Sequence, residues 1–119
     1  MTVRRAKAGP VRRSKYGAVK TTVDNITFAS QKEAKRYGDL KLLEKAGEIR
    51  HLELQSEFHL NASHPSQPKF VGKYLADFSY YDTRTNALVI EDVKGFKTPL
   101  YRWKRKHVEA QYGIKIIEI

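Results

Sequence analysis

Residues 88–95 have the sequence LVIEDVKG, an apolar start followed by two acids, a lysine and a glycine. Its apolar start predicts a strand over Leu88–Lys94, which the following glycine ends. Successive side chains of a strand point to opposite faces, so Asp92 and Lys94 share one face and Glu91 lies on the other. Taken alone, an Asp-x-Lys motif is more commonly a structural ion pair on a sheet surface than a functional site.

A second acid lies in the preceding apolar stretch. Residues 75–79, LADFS, place Asp77 well inside a strand predicted over Phe70–Tyr81, and Asp82–Asn86 is predicted to be a turn. If the two strands pair with residue numbers that sum to about 169, Asp77 lies opposite Asp92. The turn does not fix that register, so other pairings remain open.

Turn and cap signals predict the elements before this pair of strands. Asp24-Asn25 is the expected turn of a small hairpin over 21–29. Ser30 begins a helix that Gly47 ends, and Glu33 stands at the spacing of a capping box. The apolar residues that recur at helical spacing along this helix are Ala34, Tyr37, Leu40, Leu42 and Leu43.

The remaining elements complete the predicted fold. The sequence predicts a strand over 52–60, a loop over 61–69, a helix from Thr98 and Pro99 to Gly113, and a last strand over 114–119. The order is therefore helix, three strands, helix, strand. A strand that follows a helix suits a parallel crossover, so we expect an α/β (α+β) fold with a mixed sheet flanked by helices.

Length and composition restrict the protein class. The chain has 119 residues, enough for a single domain over 21–119. It has no cysteine, which excludes disulfides and thiolate zinc sites and suits a reducing cytosol. No apolar run approaches the ~20 residues of a membrane span. We expect a cytoplasmic protein that does not enter a membrane.

Positive charge is concentrated at the start of the chain. Lys and Arg number 23 against 13 acids, a net charge of +10, and seven of these cations precede residue 21, where no acid occurs. Residues 1–20 are therefore predicted to be a flexible basic arm, which attracts nucleic acid by releasing counterions. A solvated leader that only improves solubility is the alternative.

The paired acids favour a divalent metal. Two carboxylates beside an ammonium are costly to bury unless something compensates them, and Mg²⁺ prefers one or two carboxylates together with waters and a substrate phosphate. The four histidines have no metal-ligand spacing, so a zinc or HNH site is not expected. Gln55 is expected to be an exposed or sheet-edge residue rather than a ligand, and Trp103 to belong to the core rather than to be a base-stacking platform.

Asp77, with Asp92 fifteen residues later in the segment Glu91-Asp92-Val93-Lys94, resembles the PD-(D/E)XK nuclease superfamily. Further segments are similar to a phage-encoded branch of unknown function. They are Lys15-Tyr16-Gly17, residues 27–30 with Glu33-Ala34, Leu52-Glu53-Leu54-Gln55, Ala76-Asp77-Phe78, residues 91–96 and Tyr112-Gly113-Ile114. They span nearly the whole chain from Lys15 and imply the restriction-endonuclease-like core.

The resemblance assigns roles to particular residues. It implies that Asp77 and Asp92 bind the metal together with the backbone carbonyl of Val93, and that Lys94 is the catalytic lysine. Glu33 corresponds to a helix glutamate that many members direct at the same site, where it is an optional metal ligand; its alternative role is only that of a helix cap. Ala76 stands where the usual motif has proline. Glu91 is the alternative ligand if the strand is shifted by one residue.

The function implied is a Mg²⁺-dependent DNA endonuclease, with Mn²⁺ as a substitute, encoded by a phage and acting in its bacterial host. Branched DNA such as a Holliday junction is the first candidate substrate, with the enzyme acting as a homodimer. The alternatives are a non-catalytic DNA-binding module and a nicking or restriction-like enzyme. The expected DNA-binding residues are Arg4, Arg5, Arg12, Arg13, Lys15, Lys69, Lys73, Lys97, Arg102, Lys104, Arg105 and Lys106.

Overall fold

The computed structural model describes residues 19–64, 66–95 and 97–119. The described chain is an α+β fold with two helices and a mixed sheet. Its elements are β1 (Thr21–Val23), β2 (Ile26–Phe28), α1 (Gln31–Lys45), β3 (Ile49–Ala62), β4 (Lys69–Asp82), β5 (Leu88–Asp92), α2 (Pro99–Tyr112) and β6 (Ile116–Glu118). The predicted basic arm over 1–20 lies outside the described residues except for Val19 and Lys20.

The predicted hairpin near the start of the described chain is confirmed. Strands β1 and β2 pair antiparallel and form a sheet of their own. Asp24 and Asn25 connect them with φ values of 53° and 61°. Both residues are therefore left-handed, as a two-residue hairpin turn of type I′ requires, and Asp and Asn tolerate that conformation better than most residues.

Helix α1 is confirmed at both ends, and only part of its apolar set is buried. The Ser30 hydroxyl caps it, and Gly47 follows its end with a φ of 80°. Ala34, Tyr37 and Leu40 are buried, whereas Leu42 and Leu43, in the C-terminal part of the helix, are 68% and 37% exposed. The last turns of α1 extend past the core, which apolar spacing alone does not reveal.

The main sheet has the order β3-β4-β5-β6, with β6 parallel to β5 and the other neighbours antiparallel. The parallel crossover through α2 is therefore as predicted. Strands β3 and β4 are both longer than predicted. Strand β3 continues to Ala62 and β4 begins at Lys69, so both extend into the predicted loop over 61–69. Two irregularities interrupt their pairing, between Arg50 and Glu53 and between Leu60 and Asn61.

Strand β5 is shorter than predicted. It ends at Asp92, so Val93 and Lys94 lie beyond it. The last strand is also shorter, since β6 covers only Ile116–Glu118 of the predicted 114–119. Helix α2 has the predicted Thr98 cap and N1 proline, and it ends at a left-handed glycine, residue 113, as expected.

Each helix covers its own part of the sheet. The first apolar cluster joins Tyr37 and Leu40 of α1 to Phe78 and Tyr80 of β4. The second cluster lies under Val108 of α2. It contains Tyr74 and Ala76, which also belong to β4, together with Leu60, Ile90 and Ile116. Strand β4 thus changes from one cluster to the other between Ala76 and Phe78, and Asp77 lies at that change.

Strand β3 forms one edge of the sheet, and side chains from both helices occupy part of that edge. Gln111 of α2 donates its amide N–H to the carbonyl of His59 and accepts from the amide N–H of Asn61, at 3.0 and 2.8 Å. The Tyr112 hydroxyl also donates to the carbonyl of His59 at 2.7 Å. Near the other end, the Glu44 carboxylate of α1 accepts from the amide N–H of Leu52 at 3.2 Å.

Neither described helix has the length and the apolar character needed to cross a membrane.

Candidate functional site

The side chains of Asp77 and Asp92 each accept a hydrogen bond from a backbone amide of the neighbouring chain segment. The Asp92 Oδ1 atom accepts from the amide N–H of Asp77 at 3.0 Å, and Asp77 Oδ2 accepts from the amide N–H of Val93 at 2.8 Å. The observed register, in which Phe78 pairs with Glu91, brings Asp77 opposite Asp92. These side chains take the hydrogen bonds that a continued ladder would use, which explains why β5 ends at Asp92.

Lys94 lies on the same side of the chain as Asp92. Its Nζ atom is 3.9 Å from Asp92 Oδ1 and 4.6 Å from the centre of the Tyr101 ring. The ring attracts the ammonium through its negative face. The Tyr101 hydroxyl donates to Glu118 Oε2 at 2.8 Å, which fixes the ring at the start of α2. No sequence signal indicated this tyrosine, because its contact depends on how α2 crosses the sheet.

Glu33 is buried on α1 and faces Asp77. Its burial, together with the charge of Asp77 and a hydrogen bond to it, raises the pKa of Glu33 to about 7. Its Oε2 atom accepts from the amide N–H of Ala29 at 3.2 Å, while its own amide N–H donates to Ser30 Oγ at 3.1 Å. The capping box is therefore displaced by one residue, since the glutamate caps Ala29 in place of Ser30. Glu33 thus has both a cap contact and a contact with the acids.

Burial also raises the pKa of Asp92, to about 6, against the attraction of Lys94 and the hydrogen bond from the Asp77 amide. Asp92 is fully buried, and its Oδ2 atom has no hydrogen-bond partner in the described chain. A buried carboxylate oxygen without a partner is costly, and a cation would satisfy it. The described residues contain no group of three or more acids or histidines arranged to hold a metal by themselves. Two carboxylates still match Mg²⁺, which keeps several waters.

Glu91 is fully occupied on the other face of β5. Arg36 of α1 donates to both of its carboxylate oxygens, at 2.7 and 2.6 Å, and the Tyr80 hydroxyl donates to Oε2. Glu91 is 1% exposed. Because Arg36 and Tyr80 hold Glu91 away from Asp77, the acid next to Asp77 and Lys94 is Asp92. Nothing in the sequence pointed to Arg36, whose partner lies 55 residues later.

Gln55 lies on the edge strand β3, as expected, and its side chain also contacts the site. It is half-buried, and its amide nitrogen is 3.5 Å from Asp77 Oδ1. Its φ of 55° is unusual for a residue within a strand. Left-handed non-glycine residues cost of order 1–3 kcal/mol and tend to occur at functional sites. No sequence signal predicts this conformation at a glutamine.

The predicted DNA-binding cations on and beside α2 have different surroundings. Lys97 and Arg105 pair with Glu118, both at 3.1 Å, and Arg105 also lies 3.4 Å from Glu109. Arg102 and Lys106 are exposed and form no ion pair with a described residue. These residues border a groove of about 420 Å³ beside α2. It is called the α2 groove below and is lined by Lys97, Arg102, Arg105, Lys106, Glu109 and Glu118.

The remaining predicted DNA-binding cations lie farther from the acids or outside the described chain. Lys73 is 3.7 Å from Glu57 on the neighbouring strand. Lys69 begins β4, eight residues before Asp77 and about 26 Å along the strand, so it does not border the acids. Lys104 is half-buried on α2. Outside the described residues lie Arg4, Arg5, Arg12, Arg13 and Lys15.

Most of the chain matches a known protein family. A family described as "Protein of unknown function (DUF1064)" matches residues 13–117. The chain belongs to this family. The match covers Glu33, Asp77, Asp92 and Lys94, so the whole candidate site lies within the DUF1064 region. No curated protein and no solved structure shows significant similarity to the chain.

Proposed function

We propose that this DUF1064 protein is a metal-dependent endonuclease that hydrolyses DNA phosphodiester bonds. The observation that carries the proposal is the interlocked pair Asp77 and Asp92, with the Lys94 ammonium and the Glu33 carboxyl beside it. The same residues are those that the PD-(D/E)XK resemblance assigns to catalysis. Membership of that superfamily, and the restriction-endonuclease-like core, are parts of the proposal.

The residues around the acids suit a divalent cation. The negative charge of Asp77 and a hydrogen bond to it raise the pKa of Glu33 beyond the effect of burial. A cation would offset the repulsion between the two carboxylates and satisfy the unpartnered Oδ2 of Asp92. Asp77, Asp92 and the Val93 carbonyl would hold Mg²⁺, or Mn²⁺ in its place. The ion would lower the pKa of a water and stabilise the charge on the phosphate.

The chain's own groups then have distinct tasks. Lys94 would stabilise the negative charge that develops on the phosphate, since its ammonium is held between Asp92 and the Tyr101 ring. Glu33 would complete the acidic site from α1. The Asp77 and Val93 amides fix the two aspartates before substrate arrives, which avoids a cost of reorganisation during the reaction.

Charge supports DNA as the substrate. The chain has a net charge of +10. Two cations that line the α2 groove, Arg102 and Lys106, have no acidic partner in the described chain. Cleavage of branched DNA by a homodimer, in a phage-infected bacterial cytoplasm, is the specific form of the proposal. It follows from the resemblance to small junction-cleaving endonucleases.

The test is cleavage of plasmid, single-stranded and four-way-junction DNA with Mg²⁺, Mn²⁺ or EDTA. We expect cleavage only with a divalent metal, and we expect Asp77→Asn and Asp92→Asn each to abolish it. DNA binding should survive in both variants, since an amide oxygen can still accept the backbone hydrogen bond that each carboxylate accepts now.

Asp39→Asn is the matched control, because Asp39 lies exposed on α1 and its substitution makes the same change of charge. It should cleave like the wild type. Full activity of either site variant would remove that acid from the mechanism. Tight binding without cleavage under every metal condition would favour the alternative, a DNA-binding module without catalysis.

A further inference from the structure

The single tryptophan of the chain is on the surface. Trp103 is 51% exposed on α2, so the expectation that it belongs to the core is wrong. The buried side of α2 is formed instead by Val108, with Tyr101 packed beside it. Tryptophan is enriched at interfaces, because its indole offers a large apolar area together with one N–H donor.

The surroundings of Trp103 are cationic. Arg102 precedes it, and Lys106 lies one turn later on the side of the α2 groove. The other two cations of the groove, Lys97 and Arg105, form ion pairs with its acids. Within the described chain, Arg102 and Lys106 are therefore available to an external anion. His107, one turn along the helix, packs its ring 5.3 Å from the indole centre and supports it. This charge favours a polyanion over an apolar protein partner.

We propose that Trp103 is a stacking platform for an unpaired base, so that the substrate of this protein contains single-stranded nucleotides. Bases stack on aromatic side chains with little sequence preference, while neighbouring cations hold the phosphates. Bases inside a duplex do not expose their faces to such a platform. The proposal deepens the proposed function and rests on its assumption that the protein acts on nucleic acid.

The platform lies within reach of the acids. Tyr101, whose ring contacts the Lys94 ammonium, precedes Trp103 by two residues and faces the other side of the helix. A strand that connects the two sides must pass around the helix, along roughly half the circumference of a cylinder about 10 Å wide, which is about 16 Å. About five nucleotides at about 3.4 Å each cover this path. One strand can therefore place a phosphate near Asp92 and an unpaired base on the indole.

Because Trp103 is the only tryptophan, its fluorescence reports on this position alone. The full chain is titrated in EDTA, which separates binding from cleavage, with an oligothymidine strand and with a blunt duplex that has the same number of phosphates. We expect strong quenching by the single strand and weak quenching by the duplex. Equal quenching by both would overturn the proposal.

Variants measure the contribution of stacking, with binding followed by the anisotropy of a labelled oligonucleotide. Trp103→Leu should bind the single strand at least about fivefold more weakly, since stacking is worth about 1–3 kcal/mol per base, and should bind the duplex unchanged. Trp103→Phe should retain most of the affinity. Leu100→Ala is the control, because Leu100 is a neighbouring apolar residue that is 61% exposed.

The remaining outcomes separate this proposal from its alternatives. Undiminished single-strand binding by Trp103→Leu would overturn it even if the wild type cleaves DNA, and the proposed function would stand. The single strand could quench Trp103 and bind Trp103→Leu more weakly while the wild type shows no metal-dependent cleavage. That result would support the stacking platform and contradict the proposed nuclease activity. The self-association of the wild type and of both variants is measured in parallel by sedimentation. A loss of self-association in both Trp103→Leu and Leu100→Ala would identify the surface as an interface between copies of the chain and would overturn the platform.

Discussion

Glu33 combines two roles in one side chain. Its carboxylate caps the amide of Ala29, and its contact with Asp77 places it among the acids. A glutamine keeps the acceptor oxygen and removes the charge. Glu33→Gln should therefore retain thermal stability and lose most nuclease activity. Ser30→Ala should cost about 1 kcal/mol of unfolding free energy and leave activity largely intact below the melting range.

Thermal melts and metal-dependent cleavage of both variants test this separation. Lys35→Gln is a matched surface control on the same helix, because Lys35 is exposed. If Glu33→Gln remains fully active, Glu33 is only a cap, and the site consists of Asp77, Asp92 and Lys94.

The pH dependence of stability follows from the raised pKa of Glu33. The folded protein binds this proton more tightly, with a pKa of about 7 against the ordinary value of 4.5. The resulting stabilisation is present in full below about pH 4.5 and disappears as the pH rises through 7. In EDTA, the stability of the wild type relative to Glu33→Gln should therefore fall between about pH 5 and about pH 8.

Melting both proteins across this range in EDTA and in Mg²⁺ measures the effect. Comparison with the variant cancels the general repulsion among the +10 charges, which also changes with pH. Mg²⁺ should restore stability mainly at the upper end of the range, where Glu33 is ionised. A difference between the two proteins that does not change with pH would contradict the shift.

At the scale of elements, α1 is attached to β5 by a buried ion pair. Arg36 binds both oxygens of Glu91, whose other partner is Tyr80. Removal of one partner of a buried pair costs about 3–5 kcal/mol, because the other charge is left without compensation. Arg36→Met should fall at the lower end of this range, since the Arg36 side chain is 25% exposed.

The double variant Arg36→Met/Glu91→Met provides the control. Replacement of both partners by apolar residues is often close to neutral, so the double variant should regain much of the stability that Arg36→Met loses. Urea unfolding of the wild type, both single variants and the double variant gives the coupling energy. Additive losses would show that the pair does not hold α1 to the sheet.

Local signals predicted most of the elements, and contacts between distant residues account for what the sequence could not supply. Asp24-Asn25, Ser30, Pro99 and Gly113 act through neighbouring backbone, so turn and cap rules located them correctly. The register of Asp77 against Asp92 was anticipated as one option, and the structure has it. By contrast, the end of β5 depends on a hydrogen bond between Val93 and Asp77, sixteen residues apart.

The candidate site shows the same limit. The alternation expected over 88–94 separated Asp92 and Lys94 from Glu91 correctly, although Lys94 lies beyond the end of β5. Gln55 was expected to be an exposed or sheet-edge residue, and it does lie on the edge strand β3. Regular alternation cannot anticipate its left-handed conformation or its contact with Asp77. Trp103 was assigned to the core because an indole is usually buried, yet smaller side chains fill the space under α2.

At the scale of the whole molecule, charge divides the chain into two parts. Seven cations and no acid precede residue 21, whereas the rest carries 16 cations and 13 acids. Deletion of residues 1–14 removes five of these cations, namely Arg4, Arg5, Lys7, Arg12 and Arg13. DNA binding should weaken, and the logarithmic salt dependence should become shallower by about 0.9 for each phosphate that the truncated chain no longer neutralises.

Binding titrations at several salt concentrations measure that slope, and a thermal melt shows whether the truncated protein remains folded. Replacement of the five cations by glutamine in the full chain separates the effect of charge from that of length. An unchanged slope would mean that the segment does not touch DNA. A collapse of the fold would mean that it packs against the core.

The side chains along the outer edge of β3 bear on how the protein behaves at high concentration. An uncovered strand edge is a template on which another chain can add a strand, the first step towards fibres. Gln111 imitates such a strand, since it donates to His59 and accepts from Asn61 as a neighbouring backbone would. We therefore expect the end of α2 to hinder the addition of another strand at this edge, and a chain that loses it to form insoluble aggregates more readily during expression.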